Sequence, residues 1–273
     1  MNANPSASNA AEPAATLIDV THDAYGVRGL VRLTLNRPEA FNALSEALLD
    51  ALQTSLAALA KTDARVVVIA GAGRAFCAGH DLKEMRATPS LAYYQALFAR
   101  CSKLMLTIQR LPQPVIARVH GIATAAGCQL VAMCDLAVAA DTARFAVSGV
   151  NLGLFCSTPA VPLSRNLSRK AALEMLLTGE FIDAREARQQ GLINRVAPLE
   201  ELDAMVASLA ASICAKPAEA VRAGKDLFYR QLEMGVDAAY QLAGQTMACN
   251  MMDASALEGV QAFIDKRPPD WPR

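Results

Sequence analysis

GAGRAFCAGHDL, residues 71–82, and HGIATAAGCQL, residues 120–130, are two segments built largely from small residues, each set behind a β-branched run (RVVVIA, 65–70; PVIARV, 114–119) and each opening into a helical pattern. A strand that becomes a helix across small residues leaves backbone N–H groups unpaired at the turn, aimed at whatever lies in front of it. Two such donors on one oxygen form an oxyanion hole, often the largest single contribution in acyl chemistry. The two segments therefore predict strand–turn–helix units and a site made from backbone amides. The side chains around that site have to define the reaction.

The same alternation continues outward. Residues 16–38 alternate about a turn at Tyr25–Gly29 and predict a hairpin. Residues 42–60 carry Leu44, Leu48, Leu49, Leu52, Leu56 and Leu59 at helical spacing, with Asn42 or Ser45 as the cap. Strands are predicted at 65–70, 115–119 and 135–140. The unbroken run Val66-Val67-Val68-Ile69 is that of a sheet covered on both faces. A long helix is predicted over 91–110, and 130–133 continues another. Beyond Ala160 the pattern is almost wholly helical: 169–178, 183–190, 199–215, 218–234 and 254–266. This is an α/β chain of repeated ββα or βαβ units with a helical C-terminal region. The expected organisation is a disordered tail at 1–15, a core at 16–198, and a helical region at 199–273 that supplies subunit contacts.

Lys and Arg total 26 of the 273 residues and Asp and Glu another 26, a balance that argues against nucleic acid as the main partner. Hydrophobic residues make up 53%, which points to extra apolar surface buried between copies. Charged residues interrupt every apolar stretch before bilayer length, so no membrane span is expected. The first fifteen residues have neither the basic nor the apolar region of a targeting peptide. Seven cysteines show no C-x-x-C pair and no metal-ligand spacing with the three histidines. They read as buried free thiols in a reducing cytoplasm, with no metal site.

LNRPEAFNALS (35–45), GAGRAFCAGHDLKEM (71–85), PVIARVHGIATAAGCQLVAMCDLAVAA (114–140), ALEMLLTGEFIDAREARQQGLINRV (172–196) and EGVQAFIDKRPP (258–269), in this order and spacing, resemble the crotonase, or enoyl-CoA hydratase/isomerase, superfamily. GLFCSTPA (153–160) is similar to its divergent, hydratase-domain-containing branch. The resemblance covers nearly the whole chain after the tail. It implies a crotonase-type spiral core of ββα repeats, a helical trimerisation region, and homotrimers often paired into hexamers. It also implies a CoA thioester as substrate, with no permanently bound cofactor. By that resemblance the oxyanion donors fall on Ala78 and Ala126. Arg37, Ala40 and Lys83 fall on the pantetheine and phosphate path, and Phe263 and Lys266 on a pair that reaches adenine and phosphate, sometimes from a neighbouring subunit. Glu39 stands where many relatives carry Lys.

The residues that would move protons depart from the family pattern. Hydration of an enoyl thioester needs one group to take a proton from water and another to deliver one to the α-carbon, and relatives use two glutamates. Here those positions are Gln129 and Gly149. An amide cannot shuttle protons near neutral pH, and glycine has no side chain. Gln129 is expected to hold a water. His80, in the A-G-H-D step shared with methylmalonyl-CoA decarboxylase-like relatives, is the remaining acid–base candidate. Asp81 is expected to cap the following helix. Cys156, Ser157 and Thr158 lie where other branches place a catalytic carboxylate, and none is acidic. The resulting expectation is an enzyme of the hydratase/isomerase type with doubtful classical hydration. The alternatives are other enolate chemistry (isomerisation, decarboxylation or thioester hydrolysis) or acyl-CoA binding without turnover.

Overall fold

The architecture comes from a computed structural model that describes residues 16–271, so the tail expected at 1–15 lies outside the described residues. β1 (Ile18–His22) and β2 (Leu30–Leu35) form the expected antiparallel hairpin, followed by α1 (Glu46–Leu59). Ser45, not Asn42, caps α1, its side chain accepting from the Leu48 amide. Three strand–strand–helix turns follow. The first is β3 (Val66–Gly71), β4 (Ala75–Cys77), the short α2 (Leu82–Ala87) and the long α3 (Leu91–Arg110). The second is β5 (Val115–Val119), β6 (Ile122–Thr124) and α4 (Ala126–Met133). The third is β7 (Leu136–Ala140), β8 (Arg144–Ala146) and α5 (Ser157–Asn166).

Each turn of this spiral gives one strand to each of two sheets. Together with β9 (Ile182–Asp183) and β10 (Arg195–Ala197), which flank α7 (Ala184–Gln190), they form a six-stranded sheet β1-β2-β3-β5-β7-β10 and a four-stranded sheet β4-β6-β8-β9. Strands β2, β3, β5, β7 and β10 run parallel. The Val66–Ile69 run resolves into two faces of period two. Val67 and Ile69 enter the main core with the leucines of α1 and with Leu97, Cys101, Leu104 and Ile108 of α3. Val66 and Val68 join Ile116 and Val138 under Leu202, Val206 and Ala210 of α8 (Leu202–Cys214). Both faces are therefore covered, as the absence of alternation predicts.

The remaining helices are α6 (Arg169–Thr178), α9 (Ala218–Gln231), α10 (Val236–Met251) and α11 (Ala254–Ile264). The last three form a terminal arm. α9 and α10 bury no residue and α11 buries only Ala262.

Candidate functional site

The site is organised by a buried asparagine. After β2 the chain makes a 3-10 turn at Pro38–Ala40, and Phe41 (φ 52°) and Asn42 (φ 55°) both take left-handed backbone. Asn42 is wholly buried, and its side chain makes three hydrogen bonds. Its Oδ1 accepts from the Arg37 amide at 2.9 Å, and its Nδ2 donates to the Ala72 and Ala75 carbonyls at 2.8 Å each. This fastens the 37–44 loop to the β3–β4 turn. Sequence reasoning saw Asn42 only as a possible cap, although asparagine's tolerance of left-handed backbone was the available signal.

That loop then pairs with residues 78–81. The Ala78 N–H donates to the Phe41 carbonyl at 3.0 Å, Leu44 N–H to Gly79 O at 2.7 Å, and Asp81 N–H to Leu44 O at 3.3 Å. Two consequences follow. The Ala78 amide is spent, so the donor expected there is corrected. Leu44 is bonded on both sides of His80, as in a parallel bridge, so the His80 N–H points to the opposite edge. It has no acceptor there among the described residues. Gly79 (φ 93°) makes this re-aiming possible.

The second small-residue turn locks onto the first. A methyl on Gly79 would lie 2.9 Å from the Ala125 Cβ and 3.3 Å from the Ala126 nitrogen, and one on Gly127 would collide with the Cys77 carbonyl. Ala125 sits at φ 51°, ψ −120°, backbone that glycine normally supplies, and strain of this kind persists only where surrounding structure over-determines it. Immediately after it the Ala126 N–H heads α4, where no intrahelical partner exists. One helical turn on, on the same face, is Gln129. It is 3% exposed, and its Oε1 has no hydrogen-bond partner.

Three charged residues frame the first turn. Asp81 caps α2 as expected, Oδ1 accepting from the Lys83 and Glu84 amides at 3.0 and 3.4 Å. Its Oδ2 pairs with Arg37 at 3.1 Å. Burial pushes the Asp81 carboxyl up, but the Arg37 hydrogen bond, the two amides and the Arg37 charge together hold it below the usual carboxylate range. Arg37 also donates to the Ala43 carbonyl at 2.7 Å. Its guanidinium therefore faces inward as a clamp, not outward along a phosphate path. Lys83 is exposed at the start of α2, and Ala40 is half-buried at the end of the 3-10 turn.

His80 itself is half-exposed as a residue, while both ring nitrogens are buried without a partner. The ring stands edge-on to Phe98 of α3, centroids 5.6 Å apart. Burial pushes the imidazole pKa down, and the nearby Leu44 backbone offsets this only in part, which leaves the ring neutral at pH 7. Gly149 lies in a 3-10 turn at Ser148–Leu152 where no side chain fits: a Cβ would sit 2.5 Å from the Leu154 carbonyl and 2.7 Å from the Cys156 Sγ. Burial pushes the Cys156 thiol pKa up, against the Gly149 amide that bonds it, so it is no thiolate nucleophile. The Ser157 hydroxyl donates to the Phe155 carbonyl at 3.3 Å and caps nothing. Phe263 lies on α11 and Lys266 just beyond it, both exposed on the terminal arm.

Comparison with known proteins agrees with this architecture. The enoyl-CoA hydratase/isomerase family model matches residues 26–273. Enoyl-CoA hydratase domain-containing protein 3, mitochondrial, of Rattus norvegicus is 45% identical over 252 residues, covering 92% of this chain and 83% of the relative. The solved structure of an enoyl-CoA hydratase from Mycobacterium smegmatis superposes with a TM-score of 0.92 at 63% identity, covering 95% of this chain and 99% of that one. The human enoyl Coenzyme A hydratase domain-containing protein 3 gives 0.89 at 43% identity, with 93% and 100% covered. The expected cytoplasmic placement is overturned, because the rat relative carries a mitochondrial designation. Buried free thiols are compatible with any reducing compartment, so the cysteines could not have decided the matter.

Proposed function

The chain belongs to the enoyl-CoA hydratase/isomerase family, and from that premise we propose that it binds an acyl-CoA thioester and stabilises the thioester enolate with the backbone N–H groups of His80 and Ala126. The observation that carries this reading is the interlock of the two turns, which leaves these amides unspent while the Ala78 amide is bonded to Phe41. Preorganised donors in a site closed to water are worth about 3–4 kcal/mol each in acyl transfer. CoA is held as part of the substrate. Lys83 is a point charge for its phosphates, with Ala40 alongside the pantetheine.

Classical hydration is not the strength of this site. One proton-transfer position is an amide and the other is filled by the Leu154 carbonyl and the Cys156 sulfur. Gln129, with a free Oε1, orients a water without taking its proton. Crotonyl-CoA should therefore bind, measured by calorimetry, and turn over slowly. Gln129→Glu should raise hydration, because one general acid–base group typically contributes about 10²–10⁴-fold. Failure of the protein to bind any acyl-CoA would reject this reading.

A second reading rests on the unpartnered, neutral His80 imidazole, which suits proton transfer near pH 7. It is tested with 3-enoyl- and malonyl-type CoA thioesters: turnover lost in His80→Phe and following one ionisation in the pH profile would support it.

The arm has the surface of a subunit contact. Val236, Tyr240, Met247, Met252, Phe263 and Ile264 are between 65% and 85% exposed, and large apolar side chains left open in this number suit a protein contact. Further copies of this chain cover it in the proposed assembly, a homotrimer or a dimer of trimers. That arrangement would allow Phe263 and Lys266 to reach a neighbour's CoA. Sedimentation velocity measures the assembly directly.

A further inference from the structure

The arm meets the core at a buried polar junction. The Lys225 ammonium on α9 gives all three protons: to Asp135 Oδ2 at 2.6 Å and to the Ile108 and Gln113 carbonyls at 3.0 Å each. Ile108 stands in the last turn of α3, Gln113 in the link from α3 to β5, and Asp135 in the link from α4 to β7. Asp135 is itself shared. Tyr229, one turn after Lys225, donates to Oδ1 at 2.8 Å, and Val115, the first residue of β5, donates its amide to Oδ2 at 2.6 Å. The Lys225 and Asp135 side chains are 7% and 12% exposed. One ammonium therefore closes the end of α3, the start of β5 and the exit of α4. Removing it would strand a buried carboxylate together with two carbonyls.

α4 is the element this junction can steer. Its first residue is Ala126, and its first turn carries Gln129. A helix of this length spans about 12 Å. Four of its eight residues, Ala126, Gly127, Cys128 and Ala132, are small, and Gly127 lies backbone to backbone against Cys77. Few side-chain ridges resist sliding along its axis, so the fastenings at its two ends set where its first amide stands. At the near end the Ala125 N–H donates to the Ala146 carbonyl at 3.0 Å. At the far end Asn166 Nδ2 donates to the Ala132 carbonyl at 3.0 Å, and Asp135 follows two residues past the helix. Of these three, Asp135 is the one held from the arm. An oxyanion donor works only at hydrogen-bond length, about 2.7–3.1 Å, so a displacement of about 1 Å removes it.

We propose that Lys225 is a positioning residue for the Ala126 donor: through Asp135 it fixes the far end of α4, so that the arm sets where the helix presents its first amide. The proposal rests on the acyl-CoA reading above and deepens it, because it makes docking of the arm a condition for a complete pair of donors. Lys225, Asp135 and Tyr229 act through α4 and touch no reacting atom.

The test is infrared difference spectroscopy of butyryl-CoA, isotope-labelled at its thioester carbonyl and bound to the full chain. Hydrogen bonds from two amides lower the carbonyl stretch of the bound ligand relative to the free one. Lys225→Met keeps the reach of the side chain and removes the ammonium; with one of two donors displaced, about half of that shift should be lost. Tyr229→Phe deletes one hydroxyl and no bulk, so folding is spared, and it should lose a smaller, resolved part. Leu202→Ala is the control. It empties part of the core on the opposite face of the six-stranded sheet, away from the junction, so it destabilises the chain and should keep the whole shift. A full shift in Lys225→Met would overturn the proposal, and if that variant fails to fold or to bind, a full shift in Tyr229→Phe would do the same. An equal loss in Leu202→Ala would also overturn it, since any loosening of the fold would then suffice. No binding of butyryl-CoA by the wild type, or no shift on binding, would instead reject the acyl-CoA reading itself.

Discussion

Replacing Asn42 by alanine should unfold more of this protein than any single leucine of α1. The amide side chain of the fully buried Asn42 closes three contacts: it accepts from the Arg37 N–H and donates to the Ala72 and Ala75 carbonyls. Truncation leaves one buried donor and two buried acceptors unpaired. Each such group costs about 1–3 kcal/mol, and a water entering the vacated space recovers part of it, giving about 3–6 kcal/mol. The left-handed backbone (φ 55°) adds about 1–2 kcal/mol, because alanine lacks the local bonding that lets asparagine stay there. Against a total stability of about 5–15 kcal/mol this is a large fraction. Urea unfolding of the purified protein reads the sum as a drop in midpoint with unchanged slope. Asn42→Gly separates the contributions: it loses the same hydrogen bonds but accepts the backbone, so it should recover about 1 kcal/mol relative to alanine. A loss below about 1 kcal/mol in Asn42→Ala, or glycine equal to alanine, would refute the assignment of this residue as the fastener of the site.

The other predictions concern the same site. Gly149→Ala forces a Cβ to within 2.5 Å of a backbone carbonyl and 2.7 Å of the Cys156 sulfur. It should cost about 1–3 kcal/mol by thermal unfolding, and Gly149→Glu should add no hydration beyond whatever Gln129→Glu gains alone. The folded Asp81 carboxyl lies below its reference value of 3.8. Its contribution to stability is therefore complete above the unfolded value and is lost as pH falls below 3.8 through the folded value. Arg37→Met should flatten that acid limb of the stability–pH curve, and an unchanged limb would deny the clamp. Cys77, Cys101, Cys128, Cys134 and Cys156 are buried and Cys249 is exposed. A thiol reagent should therefore label Cys249 in the folded chain and reach the five others only after denaturant is added, as peptide mass mapping would show.

The legible part of this molecule was periodic. Val66–Ile69, the leucines of α1 and the limits of α3 could be read from the residues, because burial on one or both faces imposes a repeat along the chain. Strands β4, β6 and β8 were not legible. Each has three residues, too short for a repeat, and each is stabilised by neighbours from other turns of the spiral. The misplaced donor has the same origin. Whether Ala78 or His80 presents its amide depends on Phe41 and Leu44, more than thirty residues earlier, whose carbonyls take the Ala78 and Asp81 protons and leave that of His80. Gly149 carries the contrast furthest. As a letter it marked the absence of a carboxylate. In the fold it is a required absence, since the Leu154 carbonyl and the Cys156 thiol already occupy that space. The lost proton-transfer group cannot be regained there by one substitution. On the function proposed above, activity at this site is therefore built on Gln129, His80 and the two backbone amides.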